Sequence, residues 1–148
     1  MTDRGPFITG NDHPLPFGNL TWKDFERLCA WLLKSEFPEV RHPGAAGADR
    51  GVDLEAVDAK GRLTFVQCKN YEKKSFGPKE AREAIRKILD WPSNEQPHAF
   101  LLIVSKAVSK DAGEALLDEA GTLKCSYWDL TELDLRVKRN PSVLKEFF

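Results

Sequence analysis

Two short runs, Gly51-Val-Asp-Leu-Glu-Ala-Val57 and Leu63-Thr-Phe-Val-Gln-Cys-Lys69, hold the residue types best suited to chemistry. A hard cation such as Mg²⁺ takes oxygen ligands: a carboxylate, a carbonyl, waters and a substrate phosphate. Asp53 offers the carboxylate, Gln67 an amide oxygen and Cys68 its main-chain carbonyl. Lys69 binds no metal. Its ammonium can hold a water nucleophile or neutralise charge growing on phosphoryl oxygens. One divalent metal and one phosphate fit such a set, and phosphodiester hydrolysis is its natural reaction. The same residues on an ordinary exposed hairpin would have the same spacing, so spacing alone leaves both readings open.

The elements that must position these residues form a hairpin. Asp58-Ala-Lys-Gly-Arg62 is a glycine-containing turn between two β-rich runs. Folding about Lys60 sets residue 53 opposite residue 67, with Cβ atoms about 5 Å apart on one face. Alternation puts Gln67 and Lys69 on that face, with Glu55 one pair nearer the turn. Val52, Leu54, Ala56 and Val66 form the opposite, apolar face, expected to pack on a helix. Cys68 points to that side and reads as a small core residue. A slip of one residue would scatter the cluster.

Asp53, then Gln67-Cys68-Lys69 and Tyr71, preceded by Gly44-Ala-Ala-Gly-Ala-Asp-Arg-Gly-Val-Asp53, resembles the PD-(D/E)xK restriction-endonuclease superfamily. The nearest pattern is the Mrr-like branch, whose third motif is commonly Gln-x-Lys. The resemblance runs from about Trp22 to Trp128. Val52 stands where many members carry proline. The resemblance implies an α/β restriction-endonuclease-like core, a mixed central sheet of antiparallel meander plus parallel crossovers flanked by helices. It implies a Mg²⁺-dependent DNA endonuclease, with Mn²⁺ as a substitute. Asp53, Gln67 and Lys69 take the catalytic positions, and Glu26 in the first helix is the helping acid. Glu26 or Glu55 would complete the metal shell. It further implies double-stranded DNA as partner, work as a homo-oligomer or beside sensor domains, and a cutting role in restriction or antiphage defence. A non-cutting nucleic-acid-binding module and a protein-interaction domain of the same fold are the alternatives.

The rest of the chain agrees. At 148 residues it is long enough for one domain with a core. The expected division is an irregular lead over 1–20, the nuclease domain over 21–130 and a tail over 131–148. Net charge is −1, which excludes a generally basic nucleic-acid coat. Between residues 69 and 87, however, Lys73, Lys74, Lys79, Arg82 and Arg86 add to Lys69 and Lys87 against three acids. Such a basic stripe suits a phosphate backbone, or is simply a solvated helix face. Thr21 predicts a helix start, with Trp22, Phe25, Cys29 and Leu32 as its buried stripe. The loop over 43–50 makes Asp49 a weaker ligand candidate. Pro78 predicts a second helix ending before Pro92, buried through Ala81, Ala84, Ile85 and Ile88. His98 to Ser105 predicts a strand covered on both faces, Ser109 caps a third helix, and residues 123–128 form a last strand. Beyond it, Phe147 and Phe148 must pack on this domain, on another copy or on further chain. Cys29, Cys68 and Cys125 make no metal or disulfide framework and suit the reducing cytoplasm. No signal peptide or membrane span is expected. His13, His42 and His98 make no metal or nucleophile spacing, and no phosphate-binding Gly-Lys-Ser/Thr loop is present.

Overall fold

The computed structural model describes residues 13–43, 50–71 and 75–148. After β1 (Glu39–Arg41), β2 (Leu54–Val57) pairs antiparallel with β3 (Leu63–Lys69), matching Leu54 to Val66 and Val57 to Leu63, the register expected from the turn. One side chain organises that turn. Asp58 Oδ1 accepts the Lys60 and Arg62 N–H groups at 2.9 and 2.8 Å, and Oδ2 accepts from Arg62 Nε at 2.8 Å. These donors, the Arg62 N–H first, hold the Asp58 carboxyl down at about 2. Gly61 supplies the positive φ, 78°, that the turn requires. A turn anchored in this way fixes the register, and the register fixes the face of every side chain beyond it.

The sheet runs β1-β2-β3 antiparallel, then adds β4 (Ala99–Val104) and β5 (Lys124–Trp128) parallel to β3. This is the mixed α/β architecture expected. Helix α1 (Trp22–Leu33) precedes the sheet. Helices α2 (Pro78–Leu89) and α3 (Lys110–Ala120) make the crossovers, and α4 (Leu130–Lys138) and α5 (Pro141–Phe147) follow β5. The starts are local chemistry. Thr21 Oγ1 accepts from Asp24 N–H at 3.1 Å and Ser109 Oγ from Ala112 N–H at 3.1 Å, while Pro78 opens α2.

Alternation splits the core in two. Leu54, Ala56, Val66, Leu101 and Ile103 meet α1, α4 and α5, whereas Phe65, Phe100, Leu102 and Val104 meet α2 and α3. All six residues of β4 are buried, as a strand covered on both faces must be. The last residues close the first layer: Leu133, Val137 and Val143 are fully buried, and the rings of Phe147 and Phe148 stand edge-on to Trp31 and Phe17 at 5.7 and 5.4 Å. Phe147 is thus partly buried against the protein's own core, while Phe148 stays 42% exposed.

Two expectations are corrected. Trp22 is not part of the buried stripe: it is 67% exposed, with the Lys23 ammonium 5.6 Å from its ring centre, while Phe25, Cys29 and Leu32 are buried. Helical Cα–Cβ bonds tilt towards the N-terminus, so the ring of the first helical residue overhangs the packed layer. Val52 is buried, but among Phe65, Ile85 and Ile88 rather than beside Leu54. Regular β2 begins only at Leu54. The chain bends before it, and that bend makes the site.

Candidate active site

Continuing the β2–β3 register would bring residue 52 opposite Cys68. Instead Gly51 adopts φ 84° and the backbone leaves the ladder. The Asp53 N–H still reaches Val66 C=O at 2.8 Å, and the Asp53 carboxylate takes over the vacated acceptor position, receiving the Cys68 N–H on Oδ2 at 2.7 Å. A side-chain oxygen thus stands in for a main-chain carbonyl at the end of a sheet. Lys69 C=O faces β4, where it accepts the Ser105 N–H at 3.0 Å. Alternation along the strand then aims the Cys68 carbonyl at the β2 side, towards Asp53. Burial raises the Asp53 pKa; the Cys68 N–H, Lys69 and Lys87 pull it back.

Gln67 is only 5% exposed, and its Oε1 is buried with no hydrogen-bond donor among the described residues. A buried acceptor left unpaired costs about 1–3 kcal/mol, so its presence asks for an explanation. The opposite end of the amide, Nε2, lies 3.2 Å from where a Cβ on Gly51 would sit, and Lys87 Cβ and Cδ lie 3.1 Å from the same point. Gly51 is therefore glycine for two reasons: its φ and the two side chains pressed against it. Gly51→Ala is expected to destabilise the protein by about 1–3 kcal/mol, the cost of a side chain in a sparsely populated backbone region. It should also displace both Gln67 and Lys87. Thermal melting combined with plasmid nicking checks this: nicking should fall further than the lost folded fraction explains.

Gln67, Lys69 and Tyr71 line one wall of a cavity of about 330 Å³; Glu80, Glu83, Arg86 and Lys87 of α2, with Asp90 at its C-cap, line the other. Lys69 Nζ lies 5.8 Å from the Tyr71 ring centre. The Tyr71 hydroxyl is pushed up by burial, then by Glu80 and Glu83. On the first layer, Cys68 packs towards Cys29, whose contact, with burial, raises the Cys68 thiol far above the usual range. Both cysteines are inert packing groups in this setting.

The remaining sequence candidates fall in different places. Glu26 is close enough to the site to feel it: burial raises its pKa first, Asp53 raises it further, and His42, with Nδ1 at 3.5 Å from Glu26 Oε1, lowers it. Glu55, paired with Phe65, is engaged at the β1 edge, its Oε1 accepting from Arg41 Nε at 2.8 Å. Lys79, Arg82 and Arg86 are exposed on α2, and Arg86 Nε binds Glu119 of α3 at 2.9 Å. Lys73, Lys74 and Asp49 lie outside the described residues. Three contributors carry no role in the sequence reading. Lys87 is counted there only as a cation, although its place beside Ala84, at the border of the buried stripe, is a usable signal. Gly51 and the Arg50–Trp91 stack, with the guanidinium 3.8 Å from the ring centre, depend on a bend that periodicity does not report.

Among the described residues no three His, Cys, Asp or Glu side chains cluster as a metal centre. The donors present are of another kind: the Asp53 carboxylate, the unpaired Gln67 Oε1 and the Cys68 carbonyl, all oxygen. An unpaired buried oxygen on the residue next to the N–H that binds the Asp53 carboxylate is what a hard divalent cation would satisfy, so the residues fit one. No helix among the described residues is long and apolar enough to cross a membrane. Residues 17–134 match the catalytic-domain model of the Mrr family, described as restriction endonuclease. No curated protein matches the chain.

Proposed function

Because the chain belongs to the Mrr family of restriction endonucleases, we propose that it is a divalent-metal-dependent DNA endonuclease with Asp53, Gln67 and Lys69 as its working residues. The observation that carries this reading is Gln67 Oε1, a buried acceptor without a donor among the described residues, on a strand whose next N–H is held by the Asp53 carboxylate. Asp53, Gln67 Oε1 and the Cys68 carbonyl would hold Mg²⁺ or Mn²⁺, with Glu26 completing the shell. Bound there, the ion would polarise the phosphoryl oxygens and make a water more acidic.

The chain's own residues do the rest. Lys69 orients the attacking water and meets the negative charge that grows on the non-bridging oxygens. The water oxygen forms a new bond to phosphorus as the ester P–O bond breaks; the water gives up a proton to solvent and the departing alkoxide takes one from solvent. Lys79, Arg82 and Arg86, with Lys73 and Lys74, would track the backbone of a double-stranded substrate. Cutting both strands calls for two such sites, so the working form is a homo-oligomer or an assembly with sensor domains. Its place is the cytoplasm and its role that of the cutting effector in restriction or antiphage defence.

The test is incubation with supercoiled plasmid. Open-circular and linear products are expected with Mg²⁺ or Mn²⁺ and none with chelator; undiminished cutting in excess chelator would sink the metal mechanism. A forced dimer is the control for inactivity through missing assembly. If that dimer binds duplex yet cuts nothing, the chain is a binding module of the same fold.

A further inference from the structure

Within the cation stripe of α2, Lys87 differs from Arg82 and Arg86 in what it meets. Arg82 and Arg86 lean towards α3, where both act on Glu119 and Arg86 is bonded to it. Lys87 lies on the other border of the exposed arc, in line with Glu80 and Ala84 and on the wall of the cavity that Gln67 and Lys69 share. Its stem packs over Gly51: Cβ and Cδ lie 3.1 Å from the point a Gly51 side chain would occupy, beside Gln67 Nε2 at 3.2 Å. A long aliphatic stem fixed at its base delivers its head group to one place. The residue as a whole is exposed, so that head group stays open to a ligand. It is also near enough to Asp53 to lower the pKa of that carboxyl.

We propose that Lys87 is a second substrate-phosphate contact, holding the DNA backbone from the α2 wall of the cavity opposite Lys69. The cavity then has a cation on each wall, Lys69 from β3 and Lys87 from α2, and a phosphate lying between them is gripped from both sides. Glu80, Glu83 and Asp90 line the same wall, and Arg86, which also lines it, is paired with Glu119, so the Lys87 ammonium, not a general positive field, attracts the phosphate there. Gly51 then has a purpose beyond the bend: only a residue without a side chain lets the Lys87 stem lie against the loop that carries Asp53.

This assignment rests on the nuclease reading. The experiment measures duplex binding in chelator, where nothing is cut, by fluorescence anisotropy over a range of salt, for the full chain and for Lys87→Met, Lys87→Arg and Lys124→Met. Methionine keeps the stem that packs on Gly51 and removes the charge. Lys124 opens β5 at the end of the sheet away from the site and serves as a control. Lys87→Met is expected to make the log–log salt slope shallower by about 0.9, one phosphate contact, equally for unrelated duplex sequences. Lys87→Arg and Lys124→Met should keep the parent slope, and all variants should melt with the parent. An unchanged slope for Lys87→Met overturns the contact while leaving the nuclease reading intact. Equal weakening by Met and Arg, accompanied by lower melting temperatures, makes Lys87 a structural residue and also overturns it. A parent chain with no salt-dependent duplex binding overturns the nucleic-acid reading and the Lys87 contact together.

Discussion

Lys69→Ala is expected to lower plasmid cleavage by about 10²–10³-fold, the loss typical of removing one donor to transition-state charge, with divalent-metal binding preserved. The two effects separate because ammonium is not a ligand. Lys69 lies beside the carboxylate that is one, and lowers its pKa. Removing Lys69 takes a positive charge away from the metal position, so Mn²⁺ affinity should hold or rise at pH 8. At lower pH the sign reverses. Burial already raises the Asp53 carboxyl, Lys69 counters that shift, and without Lys69 a proton competes for Asp53 from a higher pH. Asp53→Asn should lose both functions, since it removes the one charged ligand among the three oxygens. Calorimetric Mn²⁺ titration of the two variants at two pH values, beside plasmid nicking, is the measurement. Equal loss of metal binding in both would mean the roles of the two residues are misassigned.

What the sequence discloses about this site follows from how local its determinants are. The β2–β3 register is set by a five-residue turn in which Asp58 makes every key contact, so it is readable from a handful of adjacent residues. The crossovers are readable for the same reason: Pro78, Ser109 and the apolar run Ala99–Val104 are short-range signals. Asp53 is harder. Counting back along an ideal strand puts it opposite Gln67, but the chain leaves the ladder at Gly51–Asp53 and the carboxylate enters the plane of the sheet. Period-two alternation carries no information about such a bend, and Val52 is misassigned for that reason. Lys87 is invisible for a different reason. Its relation to Asp53 links residues more than thirty apart and depends on how closely α2 settles against Gly51, which tertiary packing decides. Trp22 shows the limit of helical periodicity, which assigns a residue to a face without saying whether any layer extends beneath it.

The amide at residue 67 provides the sharpest separation of stability from activity. Gln67 Oε1 is buried and has no donor, which lowers the stability of the metal-free protein. Gln67→Leu keeps much of the volume and removes the unpaired oxygen. It should therefore raise stability by about 1 kcal/mol, which for a chain of this size is about 2–4 °C in Tm, and leave the protein nearly unable to nick plasmid. A residue kept only for packing would show the opposite: a leucine variant that cuts normally. Gln67→Glu keeps the oxygen and adds a charge. Buried on the residue next to the N–H that binds Asp53, a second carboxylate should lower the melting temperature in chelator through desolvation and like-charge repulsion. Mg²⁺ or Mn²⁺ should restore it, because divalent affinity rises with the number of charged ligands. The glutamate variant should accordingly bind Mn²⁺ more tightly than the parent without DNA and keep at least part of its nicking activity. Melting curves of parent, Leu and Glu forms, each with and without Mn²⁺, decide the matter. If the glutamate form gains nothing from the ion, or the leucine form cuts at the parent rate, the oxygen at residue 67 is not a ligand and its burial serves packing alone.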